Sequence, residues 1–437
     1  MIFNKKNTYE QHDNEIGSFY RATIAPFKFS KTLEENIEVD ICVIGGGLTG
    51  VSSALNLAKS GYSVALCEAR TIGWGASGRN GGHLGIGMRK QQIILEKILG
   101  KDHAKELWNL GLESVKESLK LINEYKIDCG LQKGVISAGS YHNDKHDFLF
   151  EIEHLQKNYN FDGYKYLNKK QINDEINSNL YHSGLLNNFS YHINPLKFLI
   201  GLANELIKYN VKIYENTPVT KLIDEGDSVK IHNYNKIIKA EKVVVGCNGY
   251  LDKLLGKLRN KFMPINNYII ATEPLGEVRA KELIKNNFAV SDSRFIIDYY
   301  RLSEDWRMIF GGGETFTSKF VHDSKNFVWK RMCKVFPTLK DYKIEYSWGG
   351  TLAITVNRLP NFGTLMNEKL IYAHGYSGHG LALSTFAGTL IEEKISGNSE
   401  KFNFFQKIKH ISIPGGDWLR RPIYTSAISY YKLRDLM

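Results

Sequence analysis

The chain has 437 residues, 43% hydrophobic and 24% charged, an ordinary globular composition with length enough for two domains and a large core. Its formal charge of +11 comes from 57 Lys and Arg against 46 Asp and Glu, but the basic residues are scattered, as in Asn168-Lys169-Lys170, so the charge reads as a solvated surface and not as a nucleic-acid footprint. No apolar run reaches the roughly 18 residues of a membrane span, no secretory signal opens the chain, and Cys42, Cys67, Cys129, Cys247 and Cys333 form no Cys-x-x-Cys pair, so neither a metal site nor a disulfide framework is expected and the expected location is cytoplasmic.

Residues 1–36 form a lead segment with little pattern, from which Tyr20 and Phe27 are expected to pack onto the body; Glu34 and Glu35 read as solvated. From Val39 the chain reads as a buried strand that breaks into Gly45, Gly47 and Gly50 and restarts as a helix from about Leu48 and Thr49. In this G-x-G-x-x-G spacing the first glycine permits a tight turn, the second admits a pyrophosphate close to the backbone, and the third lets helix and strand pack. The helix start offers unpaired N–H groups and a partial positive charge to an anion. Gly61 then signals a helix end, and a second strand from Tyr62 to Cys67 ends in Glu68, 18 residues past Gly50, where a carboxylate can accept from an adenosine ribose.

The stretch Thr71–Gly87 holds seven glycines. Because glycine costs folding entropy, its use here is to let backbone approach something flat or charged. Helical periodicity follows from Gln91 to Lys126, strands within Ile127–Tyr141, helix-like sequence over 145–180, and a helix over Leu196–Tyr209 opened by Asn194-Pro195. Two strand-like runs come next, the second containing the continuous apolar Val243–Gly246 of a sheet buried on both faces. Residues 262–315 alternate as an antiparallel sheet with one side on a cavity. Helix returns near 325–336, then strands, then a second strand–glycine–helix unit around Gly378, His379, Gly380 and Leu381. Its turn presents N–H groups and a partial positive charge to an anion or to developing negative charge.

With these units in order, the strings EVDICVIGGGLTG, ASGRNGG, ATEPLG, DYYRL, FGGGE, NRLPNFG, SGHG and YYKLRD make the chain similar to the FAD-dependent amine oxidases of the D-amino-acid-oxidase superfamily, and within it to the gamma-glutamylputrescine oxidoreductase group. The resemblance implies an α/β fold with a discontinuous Rossmann-like FAD domain (37–90, 190–260, 345–400) and a mixed antiparallel β-sheet substrate domain with helices (91–189, 261–344), and a tail over 401–437 packing on the body. It implies non-covalent FAD, oxidation of a small-molecule amine to an imine that hydrolyses to an aldehyde, and oxygen or another electron acceptor. Gly45, Gly47, Leu48, Thr49 and Gly50 would hold the pyrophosphate, Glu68 the ribose, and Ala69 and Arg70 the adenine side. Ala76, Ser77, Arg79, Asn80, Gly81 and Gly82 would line the path to the isoalloxazine, with Val219 and Asn248 as further cofactor contacts. Gly378, His379, Gly380 and Leu381 would meet the pyrimidine end of the flavin.

Candidate catalytic residues are His379, Tyr300, Trp348 and His83. Tyr300 and Trp348 are equally readable as core, and His83 as structural. Sarcosine-oxidase relatives carry a lysine where this chain has Ala382. Some relatives tether FAD through a cysteine, but Trp348 to Gly380 contains none; a histidyl tether falls at Asn80 here, with His83 three positions on. A nicotinamide-dependent dehydrogenase and a non-catalytic FAD-binding protein are the alternative functions; the second glycine unit argues against the dehydrogenase. The sequence defines no oligomeric state.

Overall fold

The computed structural model describes residues 17–25, 27, 30–251, 254–315, 320–413 and 422. The lead segment before residue 17, the YYKLRD string and almost all of the tail beyond residue 413 lie outside the described residues. Among the described residues no helix is long and apolar enough to cross a membrane.

Two sheets carry the molecule. The first has eight strands in the order Asn361–Leu365, Leu370–His374, Lys236–Val245, Ile37–Ile44, Val64–Cys67 and Lys212–Tyr214, with the hairpin Lys221–Asp224 and Val229–Asn233 added on Lys236–Val245. The five strands from Leu370–His374 to Lys212–Tyr214 are parallel. Such a sheet must be covered on both faces, which is why its strands are apolar without alternation. Ile41 and Val43 pack under helices Leu48–Lys59, Lys101–Glu124, Pro195–Lys208 and Leu381–Ile395, while Cys42 and Ile44 face a second core with Ile231 and Ile238.

The second sheet has nine strands, in the order Ile344–Thr355, Phe262–Thr272, Met308–Thr315, Asp298–Leu302, Ala289–Asp292, Gln132–Gly139, Ser183–His192 and His83–Leu84, with Tyr164–Leu167 also paired to Ser183–His192. It is antiparallel except where Ala289–Asp292 runs parallel to Gln132–Gly139. Its inner face, including Ile269, Ile309 and Trp348, joins the core of the first unit. Its outer face, including Tyr268, Ile270, Tyr300 and Phe310, packs with Ala280, Leu283, Val328 and Met332 of helices Glu277–Leu283 and Ser324–Val335.

Several elements depart from the sequence expectation. The helix expected over Gln91–Lys126 is two, Gln92–Leu99 and Lys101–Glu124, broken at Gly100 with φ +85°. Residues 145–180 contain a strand, Tyr164–Leu167, before a helix, Lys169–Glu175, opened by an Asn168–Gln171 capping box. The strand Ser183–His192 is not legible in the sequence because adjacent Leu and Asn pairs hide its period of two. Ile344–Thr355 runs beside Phe262–Thr272 in the second sheet, so the chain rejoins the first sheet at Asn361. Tyr20 and Phe27 are buried as expected.

One buried guanidinium ties the parts together. Arg301 Nε donates to the Gly81 carbonyl at 2.9 Å and Nη2 to Tyr20 Oη at 3.0 Å. Tyr20 Oη in turn donates to the Asn80 carbonyl at 3.0 Å. The inner face of the second sheet thereby fixes the second glycine loop against the first unit.

Candidate active site

The opening turn has three glycines for three reasons. Gly45 takes φ +107°, a left-handed conformation that other residues adopt only with strain. Gly47 is extended, with φ −87°, so space and not backbone angle demands glycine: a Cβ there would stand 2.9 Å from Ser77 Oγ. A Cβ on Gly50 would fall 1.8 Å from the Gly45 carbonyl oxygen. Ser77 Oγ accepts from the Leu48 N–H at 3.0 Å, and Thr49 Oγ1 pairs with Tyr376 Oη at 2.7 Å. The helix that starts here has no side-chain cap and no acid in its first turn.

Glu68 sits at the end of the neighbouring strand. Its carboxylate accepts from Gly46 N–H at 2.6 Å and Arg70 N–H at 2.8 Å, and Ala69 N–H adds a third donor. Burial pushes this carboxyl up and the backbone donors pull it back. Asn216 and Thr217 bond to the Arg70 and Glu68 carbonyls, both at 2.8 Å, which anchors the segment leading to Val219.

The loop Ala76–Gly82 is held mostly by its own side chains. Asn80 Nδ2 donates to the Ala76 and Ser77 carbonyls at 3.1 and 3.0 Å, and its Oδ1 accepts from Gly82 N–H at 2.8 Å. Arg79 reaches the carbonyls of Trp74 at 2.6 Å and Gly349 at 3.2 Å. Gly82 has φ +82°, and a Cβ there would meet the Ile193 carbonyl at 2.2 Å. Trp348 is buried and donates Nε1–H to the Arg79 carbonyl at 3.0 Å, so it supports this loop from beneath.

The third turn closes the site. A Cβ on Gly378, at φ +82°, would find only Leu352 Cδ1 at 4.0 Å, so open space adjoins it. Asn248 Oδ1 accepts from Gly375 N–H at 3.0 Å and ties this turn to the end of Lys236–Val245. Helix Leu381–Ile395 starts at Gly380 with no side-chain cap and no acid in its first turn. His379 Nε2 is 3.0 Å from the Ile86 carbonyl, which can only accept, so Nε2 carries the proton. Burial, and then the charge of Arg89, push His379 down to about 4. His83 is likewise pushed down to about 4, by burial and Arg301; its Nε2 meets the Val290 carbonyl at 3.2 Å and its ring stands edge-on to Tyr299 at 5.9 Å. Both imidazoles are therefore neutral near pH 7.

Tyr300 is not at this site. Strand alternation turns it to the outer face, where it stacks on Phe310 at 5.3 Å and donates to Tyr181 Oη at 3.0 Å. Its neighbour Tyr299 faces inward, against Gly81 and Gly311, and donates to Asn267 Oδ1. Asn267, Glu314, Arg89 and Arg358 escaped the sequence reading; a β-bulge, described below, is what aims Glu314.

Two helix starts with a glycine N-cap and no acid in the first turn thus lie at the carboxyl ends of parallel strands in one sheet, the position where open α/β sheets bind ligands. Glycine-lined backbone at Gly47 and open space at Gly378 suit a pyrophosphate at one end and a flat ring at the other. These features define a dinucleotide-binding redox fold with its second sheet laid over the site. The chain belongs to the FAD-dependent oxidoreductase family, whose profile (FAD dependent oxidoreductase) matches residues 40–394, and FAD is its cofactor. It is 36% identical to the gamma-glutamylputrescine oxidoreductase of Escherichia coli (strain K12) over 422 residues, which cover 96% of this chain and 98% of that one. It is 34% identical to a probable oxidoreductase OrdL of Haemophilus influenzae over 401 residues, 91% and 92% of the two chains. Glycine oxidase from Geobacillus kaustophilus shares the fold with a TM-score of 0.70 at 18% identity, over 83% of this chain and 95% of that one.

Gly47→Val is expected to abolish FAD retention, because a branched side chain would fill the space between this turn and Ser77. Flavin absorbance per folded polypeptide measures it; full occupancy in the variant contradicts the assignment of the turn.

Proposed function

We propose that this enzyme oxidises an amine borne on a long chain, gamma-glutamylputrescine or a related polyamine conjugate, to an imine that water hydrolyses to an aldehyde. Bound FAD supplies the redox chemistry by accepting the hydride, and oxygen or another acceptor takes the electrons on. The observation that carries this reading, beside the relatedness to the Escherichia coli enzyme, is the composition of the turn after Gly380. Leu381, Ala382 and Leu383 are buried and apolar. A small α-amino acid carboxylate placed there would lose water without gaining a cation, which is costly.

The chain's own groups set the rest. His379 and His83, neutral near pH 7, add no positive charge that would repel a cationic amine or compete with a developing iminium. His379 holds its Nε2 proton on the Ile86 carbonyl and so orients the turn through which backbone N–H groups reach the cofactor site. Tyr299 and Asn267, hydrogen-bonded to each other, face the site from the second sheet. The amine reacts as its free base, since a protonated nitrogen has no lone pair to stabilise the iminium.

A missing charged hydrogen bond to a carboxylate is worth about 1.5–3 kcal/mol, or roughly 10–100-fold. Sarcosine and glycine are accordingly expected to show kcat/KM lower by at least that factor than gamma-glutamylputrescine. A higher kcat/KM for sarcosine than for every longer amine overturns the proposed substrate class.

The cofactor is held by hydrogen bonds, helix termini and packing, without a covalent bond. His83 Nε2 is engaged by the Val290 carbonyl and Asn80 is spent on its own loop. Acid precipitation is expected to leave a colourless pellet and a yellow supernatant. Flavin fluorescence that stays with a single peptide, above all one containing His83, contradicts this.

A further inference from the structure

On strand Met308–Thr315 the alternation of side chains is reset once. Ile309 and Gly311 turn inward, while Phe310 and Gly312 turn outward, where a Cβ on Gly312 would meet Asp298 and Arg331. At Gly313, with φ +76°, the register shifts: Tyr268 pairs with Gly312 but Asn267 with Glu314. One extra residue moves the next side chain to the opposite face. Glu314 therefore points inward and shares a face with its partner Asn267, which bonds Tyr299. Without the bulge it would have pointed outward toward Arg331.

Two guanidiniums share this inner space. Arg358 sits in a turn after strand Ile344–Thr355 with φ +60°, and its Cζ lies 4.7 Å from the ring centre of Phe295, in the loop before Asp298–Leu302. Arg89 lies three residues past Ile86, whose carbonyl holds His379. Burial pushes the Glu314 carboxyl up, while the charges of Arg358, Arg89 and, least, Arg331 pull it back, and Arg89 in turn feels Arg358 and Glu314. Yet among the described residues none of the three side chains makes an ion pair or a hydrogen bond to the protein. Opposite charges withdrawn from water close onto one another unless something belongs between them, and two guanidiniums side by side repel.

We propose that Glu314, Arg89 and Arg358 recognise a zwitterionic α-amino-acid head at the end of the substrate remote from the amine that is oxidised. The guanidiniums take the head's carboxylate and Glu314 takes its ammonium. A neutral head would leave all three charges unanswered, a lone ammonium would leave the arginines, and a lone carboxylate would leave Glu314 repelled. The inference rests on the amine-oxidising reading for its place in the reaction, but its binding test does not depend on that chemistry.

The test uses FAD-loaded protein kept anaerobic and four n-butylamides of matched length that lack the tail amine proposed to be oxidised: γ-L-glutamyl, glutaryl, 4-aminobutanoyl and pentanoyl. Calorimetry should give the γ-L-glutamyl amide roughly 10-fold or more tighter binding than either singly charged amide, with the neutral one weakest. Glu314→Gln should weaken the γ-L-glutamyl and 4-aminobutanoyl amides roughly 10-fold and spare the glutaryl amide. Arg358→Gln should weaken the γ-L-glutamyl and glutaryl amides and spare the 4-aminobutanoyl amide. A flat series in the unmodified protein overturns the proposal even where a variant fails to fold, and so does an equal loss across all four amides in a folded variant. Tight γ-L-glutamyl binding in a protein whose flavin no amine reduces would keep the head site and reject the proposed reaction; flavin reduction by amines with a flat series would do the reverse.

Discussion

The molecule is arranged around two helix starts whose N-cap residues, Gly47 and Gly380, offer no side-chain acceptor to the backbone N–H groups. Helices Leu48–Lys59 and Leu381–Ile395 both begin at a glycine, both lack a side-chain cap, and neither places an acid in its first turn. An isolated helix start of this kind forgoes a cap worth about 1 kcal/mol, and the partial charge it presents favours an anion by a comparable amount. Two such termini on one sheet edge make sense together as the ends of one ligand. The strand order puts Lys236–Val245 between the two strands that feed them, and Asn248 ties its end to the second turn.

The second sheet does different work. It covers the site and orients what faces it, and three local features decide how. Arg301 pins the Gly81–Gly82 loop and Tyr20 to the inner face. Trp348 props the same loop through the Arg79 carbonyl. The bulge at Gly313 turns one carboxylate inward. In the proposed reading the two glycine turns hold the cofactor largely through backbone, while Glu314, Arg89 and Arg358 meet the substrate's head. That division separates holding the flavin from choosing what is brought to it.

Much of the first unit was legible because its signals are local. A buried strand, glycines at fixed spacing, an apolar helix and an acid at the next strand end all lie between Ile37 and Glu68. The second turn near Gly378 repeats that logic. The second sheet was legible as a class of structure, through alternation and aromatics, but not residue by residue. Tyr299 and Tyr300 are adjacent and chemically alike, and only the register tells which faces inward. Glu314 was hidden for a sharper reason: a single bulge reverses its face, and FGGGE reads the same with or without it. Arg89 and Arg358 are brought together by long-range packing, which no spacing in the sequence records.

The account stands or falls on a reduction between an amine and a flavin bound at the two glycine turns. The direct measurement is an anaerobic titration of the purified protein with gamma-glutamylputrescine, followed in the visible flavin absorbance. The account predicts a yellow protein that bleaches as the amine is added and recovers its colour when an acceptor such as oxygen is admitted. A protein that retains FAD but keeps its full spectrum with this and every related amine, or one that purifies colourless and binds a nicotinamide dinucleotide instead, contradicts it.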